Sequence, residues 1–290
     1  MFTITKAARQ VLCTPILEQS RNMATLREIQ LRLKSVSNIS KITKSMKMIA
    51  STKMTKAQRA MNNARIYGQS SQAFIKHAEP KTEGEASTIV VTVSGDRGLC
   101  GGIHSSVSKA SKRYLAENPE APIYILGDKA KIQISRSNRQ NLRLSFNQIG
   151  KAVPTYAEAS AIADKILSDD VKFDKIEIIY NKFLSVIAYE ATRIQSYSVD
   201  AIKASAGFSA FELEEDEVLQ NFQEFLFSNA VYWTLVEGYA AEMAAKRTSM
   251  ENATKNAGDM IQKLTLSYNR GRQAVITNEL IDIIVGASAL

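Results

Sequence analysis

From Leu219 onward the chain keeps an unbroken spacing of three and four: Leu219, Phe222, Leu226, Asn229, Trp233, Val236, Ala240, Met243, Arg247, Met250, Thr254, Ala257, Ile261, Leu264 and Tyr268. That alternation is the seam of a helix built to wind around another helix. No proline follows Pro154, so nothing forbids one continuous helix across residues 211–290. At about 1.5 Å per residue, a helix from Phe211 to about Val285 is roughly 110 Å long. A rod several times longer than a globular core requires points to function in the rod itself.

A second segment, residues 24–80, has no proline before Pro80 and is broken only by Gly68. Thr25 and Glu28 form a capping box at its start. Its apolar positions are Leu26, Ile29, Leu33, Val36, Ile39 and Ile42, then Met46, Ala50, Met54, Ala57, Met61 and Ala64. The second half is a clean heptad. In the first half the stripe slides around the helix, which predicts local supercoil irregularity. The charge on this helix is lopsided. Between Ala24 and Arg65, the bases Arg27, Arg32, Lys34, Lys41, Lys44, Lys47, Lys53, Lys56, Arg59 and Arg65 are opposed by Glu28 alone. A merely solvated helix would use i,i+4 ion pairs, so this face is expected to meet an acidic surface.

Between them, residues 81–210 read as alternating strands and helices. Strands are expected over Thr88–Val93, Ile123–Leu126 and Lys175–Tyr180, with further paired segments over Ser185–Ala188 and Ala191–Val199. Helices are expected over Ile103–Ala116, from Asp128 through Ser135, and over Tyr156–Leu167. The expected fold is therefore α/β plus long helices: an antiparallel coiled coil of the N- and C-terminal helices, with a small Rossmann-like α/β sheet domain inserted. Its divisions are 24–80, 81–210 and 211–290. Residues 1–23, with Lys6, Arg9 and Arg21 against Glu18, read as a mitochondrial presequence.

The formal net charge of +8 calls for an acidic partner. Cys13 and Cys100 are the only cysteines, which excludes a disulfide framework and a cysteine-based zinc site. The two histidines, His77 and His104, stand in unrelated contexts, so neither a metal nor another cofactor is expected. Ser94-Gly-Asp-Arg-Gly-Leu-Cys-Gly-Gly102 follows a strand and precedes a helix, the place where backbone amides cradle phosphate. Its glycines match neither dinucleotide nor P-loop spacing, so a tight turn packed under the helix is expected. Cys100 has no evident histidine base and reads as a small core residue, and His104 reads as a surface or capping residue. The acids Glu214, Glu215, Asp216 and Glu217 fit the positive end of the last helix.

Three stretches resemble the gamma subunit of F-type ATP synthase in its mitochondrial, fungal-like form. They are residues 24–51, from Ala24-Thr-Leu-Arg-Glu to Lys44-Ser-Met-Lys-Met-Ile-Ala-Ser51, the glycine loop above, and Tyr268-Asn-Arg-Gly-Arg-Gln-Ala-Val-Ile-Thr-Asn-Glu-Leu280 with Gly286-Ala-Ser-Ala-Leu290. The resemblance implies a central-stalk rotor in the mitochondrial inner membrane complex, on the matrix side, with no active site of its own. Its paired helices would stand inside a hexamer of alpha and beta subunits. The sheet domain would lie beside delta and epsilon, with the foot on the c-ring. By matching motifs, Lys44, Met46 and Lys47 fall in the coupling region. Lys246, where the family has arginine, and Arg247 form a further contact, and Arg272, Gln273 and Thr277 form the upper contact. The tip around Ile276, Leu280 and Ile284 would turn in an apolar bearing, and Glu212, Glu214 and Glu215 lie near the foot contacts. Two rivals remain at this level. A basic coiled-coil nucleic-acid binder would want interleaved aromatics, yet no aromatic precedes Tyr67 in the basic helix. A nucleotide-binding α/β enzyme would have to use Gly95 to Gly102.

Overall fold

Long helices open and close the described chain. In the computed structural model, residues 25–78, 87–169, 171–205, 207–208, 211 and 216–288 are described. The expected presequence and the cluster Glu212, Glu214, Glu215 lie outside them. The order is α1 (Leu26–Ala78), β1 (Thr88–Val93), α2 (Ile103–Glu117), β2 (Ile123–Leu126), α3 (Asp128–Ile134), β3 (Leu142–Phe146), α4 (Tyr156–Leu167), β4 (Lys175–Phe183), β5 (Tyr189–Tyr197), α5 (Val199–Lys203) and α6 (Asp216–Ser288). Two compact units result. One is residues 38–259, and the other joins residues up to 37 with those from 260 onward.

In the larger unit the sheet has the order β3-β2-β1-β4-β5. β1 to β4 run parallel, and β5 returns antiparallel to β4. One face packs on α4 and α6, where Val91, Tyr124, Ile176 and Ile178 meet Ala159, Ile166, Phe227 and Val231. The other face packs on α2 and α3 through Val90, Ile125, Ile179, Val107 and Ile134. Burial on both faces is why these strands are nearly continuous apolar runs. The capping box on α4 is complete, with Thr155 accepting from the Glu158 amide and Glu158 accepting from the Thr155 amide.

α1 and α6 run antiparallel in this unit. Going up α1, Thr43 meets Thr254, Lys47 meets Glu251, Arg65 meets Glu237 and Ser71 meets Asn229. Every described member of the expected α6 seam is buried or half-buried. On α1 the seam proves regular rather than sliding. It runs through Ser40, Thr43 and Lys47 to Ala50, Met54, Ala57, Met61, Ala64 and Gly68, all buried or half-buried, while Ile39 and Ile42 face out at 51% and 57% exposure. The supercoil irregularity is thus corrected: polar residues fill the register that isoleucines one place earlier had suggested. Gly68 does not break α1. A Cβ there would come within 2.6 Å of the Trp233 ring, so the glycine lets an indole lie flat against the helix backbone.

In the smaller unit, Leu26, Ile29, Leu33 and Val36 are half-buried, as are Ile261, Leu264, Tyr268 and Gly271. The Leu26 side chain packs against the backbone at Gly271, where an added Cβ would stand 3.0 Å from it. Thr25 and Glu28 form the expected capping box, with bonds of 3.3 and 3.0 Å.

Two expectations for the sheet domain need correction. Ser185–Ala188 is no strand but the turn joining β4 to β5, held by the Ser185 hydroxyl accepting from the Ala188 amide at 3.1 Å. β3 and α5 were not expected. β3 is a short half-buried edge strand, and α5 is a single turn capped by Ser198.

Candidate partner-binding surface

Of the ten Lys and Arg residues between Arg27 and Arg65 on α1, two are neutralised within the chain. Lys47 meets Glu251 at 2.7 Å, and Arg65 meets Glu237 at 2.6 Å. The other eight (Arg27, Arg32, Lys34, Lys41, Lys44, Lys53, Lys56 and Arg59) make no ion pair among the described residues. Exposed unpaired bases on one helix set up a positive field that only an outside group can answer. Beside them Ile39, Ile42, Met48 and Ile49 stand exposed, so the outward face of α1 is both basic and apolar.

The expected contact residues sort by element. Lys44 is exposed, two and three residues before the half-buried Met46 and Lys47. Lys246 and Arg247 are half-buried on α6, and the Arg247 Nε is buried without a hydrogen-bond partner. These five lie in the larger unit. In the smaller unit Arg272, Gln273 and Thr277 are exposed, and the Thr277 hydroxyl donates to the Gln273 carbonyl at 2.8 Å. Ile276, Leu280 and Ile284 are exposed with Val275, Ile281, Ile283 and Val285. An exposed apolar patch of this kind marks an interaction surface.

Sequence reasoning missed what ties the helices to the sheet. Glu237 on α6 is 0% exposed. One of its oxygens accepts from the Arg65 guanidinium on α1 and from the Phe183 amide at the end of β4, at 2.6 and 3.2 Å, while Arg65 also donates to the Phe183 carbonyl at 3.1 Å. A glutamate one place after the seam residue Val236 was the available signal, since a carboxylate there needs a buried cation.

The glycine loop also differs from expectation. His104 is buried at the start of α2, with its Nε2 3.0 Å from the Cys100 Sγ and its Nδ1 2.9 Å from the Ser94 Oγ. So Cys100 does have a histidine beside it, one helical turn on, and His104 is no surface residue. Burial pushes the Cys100 thiol up to about 11, helped by the nearby Glu242 carboxylate. Burial likewise lowers the His104 pKa and pushes Glu242 up to about 7.

Fold and surface together define a class: two long helices, antiparallel where they pair in the larger unit, against an α/β sheet, with basic and apolar helix faces left exposed. A family model described as ATP synthase matches residues 25–290. The mitochondrial ATP synthase gamma subunit of Yarrowia lipolytica is 48% identical over 295 residues, covering all of both chains. That of Rattus norvegicus is 44% identical over 92% of this chain and its own full length. Among solved structures, a chain of the Tetrahymena thermophila mitochondrial ATP synthase central stalk and c-ring is 28% identical, with a TM-score of 0.63 over 73% of this chain and 99% of its own. A chain of the Euglena gracilis enzyme shares the fold at a TM-score of 0.77 and 21% identity, over 91% of this chain and 94% of its own. The chain belongs to the family of ATP synthase gamma subunits. None of these relatives lends support to a nucleic-acid binder or a nucleotide-using enzyme.

Proposed function

We propose that this chain is the central-stalk rotor of a proton-translocating ATP synthase, on the matrix side of the mitochondrial inner membrane. It couples rotation of the c-ring to conformational change at the catalytic beta subunits during ATP synthesis. The observation that carries this reading is membership of the gamma-subunit family over residues 25–290. In this reading residues 24–80 and 211–290 supply the shaft, 81–210 the domain beside delta and epsilon, and 1–23 the import signal.

The geometry of the described residues supports the shaft and the sheet domain. Twisting a packed helix pair disturbs many seam residues together, so the pair transmits torque instead of absorbing it. The Arg65–Glu237 clamp fixes α1 and α6 to the end of β4, so sheet and shaft move as one within the larger unit. Lys44, Met46 and Lys47, with Lys246 and Arg247, meet acidic loops of alpha and beta. Arg272, Gln273 and Thr277 make the upper contact with beta. Ile276, Leu280 and Ile284 turn inside an apolar sleeve, where no directional hydrogen bond must break at each step. Glu212, Glu214 and Glu215 serve the foot contacts. The chain supplies no catalytic group, and nucleotide chemistry belongs to beta.

Copurification tests the reading. A tagged full-length chain recovered from mitochondria brings alpha and beta subunits, each in several-fold excess over itself, together with the c-ring. Recovery without alpha and beta sinks the rotor assignment.

A further inference from the structure

We propose that Cys100, His104 and Glu242 form a binding site for a divalent transition metal, zinc by its donor set, that fastens the loop after β1 to α6. The inference is independent of the rotor role. It reverses the expectation that the cysteine count excludes a cysteine-based zinc site.

The three donor atoms converge. The Cys100 Sγ, the His104 Nε2 and a Glu242 carboxylate oxygen all lie within 4.8 Å of one another. The residues are 2%, 7% and 6% exposed. A tetrahedral zinc, with bonds of about 2.3 Å to sulfur and about 2.0–2.2 Å to nitrogen and oxygen, needs its ligand atoms roughly 3.3–3.7 Å apart. The sulfur and nitrogen stand 3.0 Å apart. Adjustments within about an ångström, small for side chains, complete the set.

A second observation points to a cation. The Glu242 Oε1 is buried and has no hydrogen-bond partner. A buried carboxylate oxygen left unanswered costs free energy, and a metal bond answers it. Gly95 keeps the place for this carboxylate, because a side chain there would run into it. A cavity of about 20 Å³ lined by Ser94, Gly95, His104 and Glu242 adjoins the cluster. It has room for one water as a fourth ligand.

The surroundings also suit a metal. Ser94 lies 2.9 Å from the His104 Nδ1, the outer partner that orients a ligating imidazole. With Nδ1–H donating to Ser94, Nε2 offers its lone pair to the ion in place of donating to the Arg97 carbonyl 2.9 Å away. Burial keeps this imidazole neutral, the form that binds metal. Thiolate, imidazole and carboxylate together select zinc over magnesium or calcium. Binding releases the thiol proton of Cys100, and any proton on Glu242, to solvent. The strand order places the cluster at the carboxyl end of β1, where β2 leaves to one side and β4 pairs on the other. This reversal is where open α/β sheets bind ligands.

The test uses the full-length chain, stripped with chelator and titrated with cobalt as a spectroscopic substitute, then with zinc. One cobalt per chain is expected, with the near-ultraviolet absorption of a thiolate–cobalt bond, lost as zinc displaces it. C100S abolishes that absorption, E242Q weakens binding by at least about tenfold, and C13S leaves both unchanged. Absence of the thiolate band in the wild type overturns the site whatever the variants do, as does its persistence in C100S or its loss in C13S. Should C100S fail to fold, as judged by circular dichroism, unweakened binding in E242Q is the overturning result.

Discussion

At Glu237 a single carboxylate oxygen serves two partners on two other chain segments. Removing one member of a buried pair strands the other, at a cost of about 3–5 kcal/mol. Arg65 keeps a side-chain exposure of 30% and still finds water, so E237A is expected near the low end, a loss of about 3 kcal/mol. The urea unfolding midpoint of the isolated chain measures it. Gly68 makes an opposite kind of demand. Glycine to alanine in a helix ordinarily gains about 1 kcal/mol. Here three Trp233 ring atoms stand within 2.8 Å of the new Cβ, and overpacking of about 2–3 kcal/mol outweighs the gain. G68A is expected to be less stable by about 1–2 kcal/mol, and a midpoint at or above wild type would refute the contact. Neither residue's role was legible from sequence. A lone glycine and a lone glutamate acquire meaning only from what lies across the helix interface.

Elements were more legible than their faces. The α6 seam was readable because packing repeats every seventh residue, and the burial follows it. The same stretch has a second face, which the seam alone did not reveal. Between Leu226 and Ala244 nearly every position is buried, because α6 also forms a layer over the sheet. On α1 the apolar pattern misled, since Ser40, Thr43 and Lys47 occupy seam positions and the adjacent isoleucines do not. The turn at Ser185–Ala188 was misread for want of glycine or asparagine, because a serine hydroxyl holds it. β3 escaped notice because an edge strand buries too little to impose an apolar run. The exposed pair yields a prediction that separates folding from assembly. I39Q with I42Q should change the stability of the isolated chain by less than about 0.5 kcal/mol. The same pair should weaken association with alpha and beta, as measured by recovery of the assembled complex.

For the molecule as a whole, function rests on charge and apolar surface left unanswered within the chain. The eight exposed or half-buried bases from Arg27 to Arg59 on α1 other than Lys47 have no ion-pair partner among the described residues, so association with an acidic surface should weaken as salt screens it. Met46, half-buried among these bases, is the position where a single change should act on coupling more than on folding. M46K is expected to keep the thermal midpoint within a few degrees, while proton pumping per ATP hydrolysed falls in reconstituted vesicles. Unchanged pumping would remove Met46 from the contact. The family was legible in the sequence because its motifs lie in three separated stretches in the right order. The Cys100–His104–Glu242 cluster was not, because Glu242 comes from α6, far along the chain.

The double duty of α6 also governs how such a chain comes into being. Every strand of the sheet precedes Phe227, Ala230 and Val231, which cover its inner face. While synthesis proceeds from the amino end, α4 alone covers that face until α6 has emerged. The layer over that face is therefore complete only when the last helix arrives.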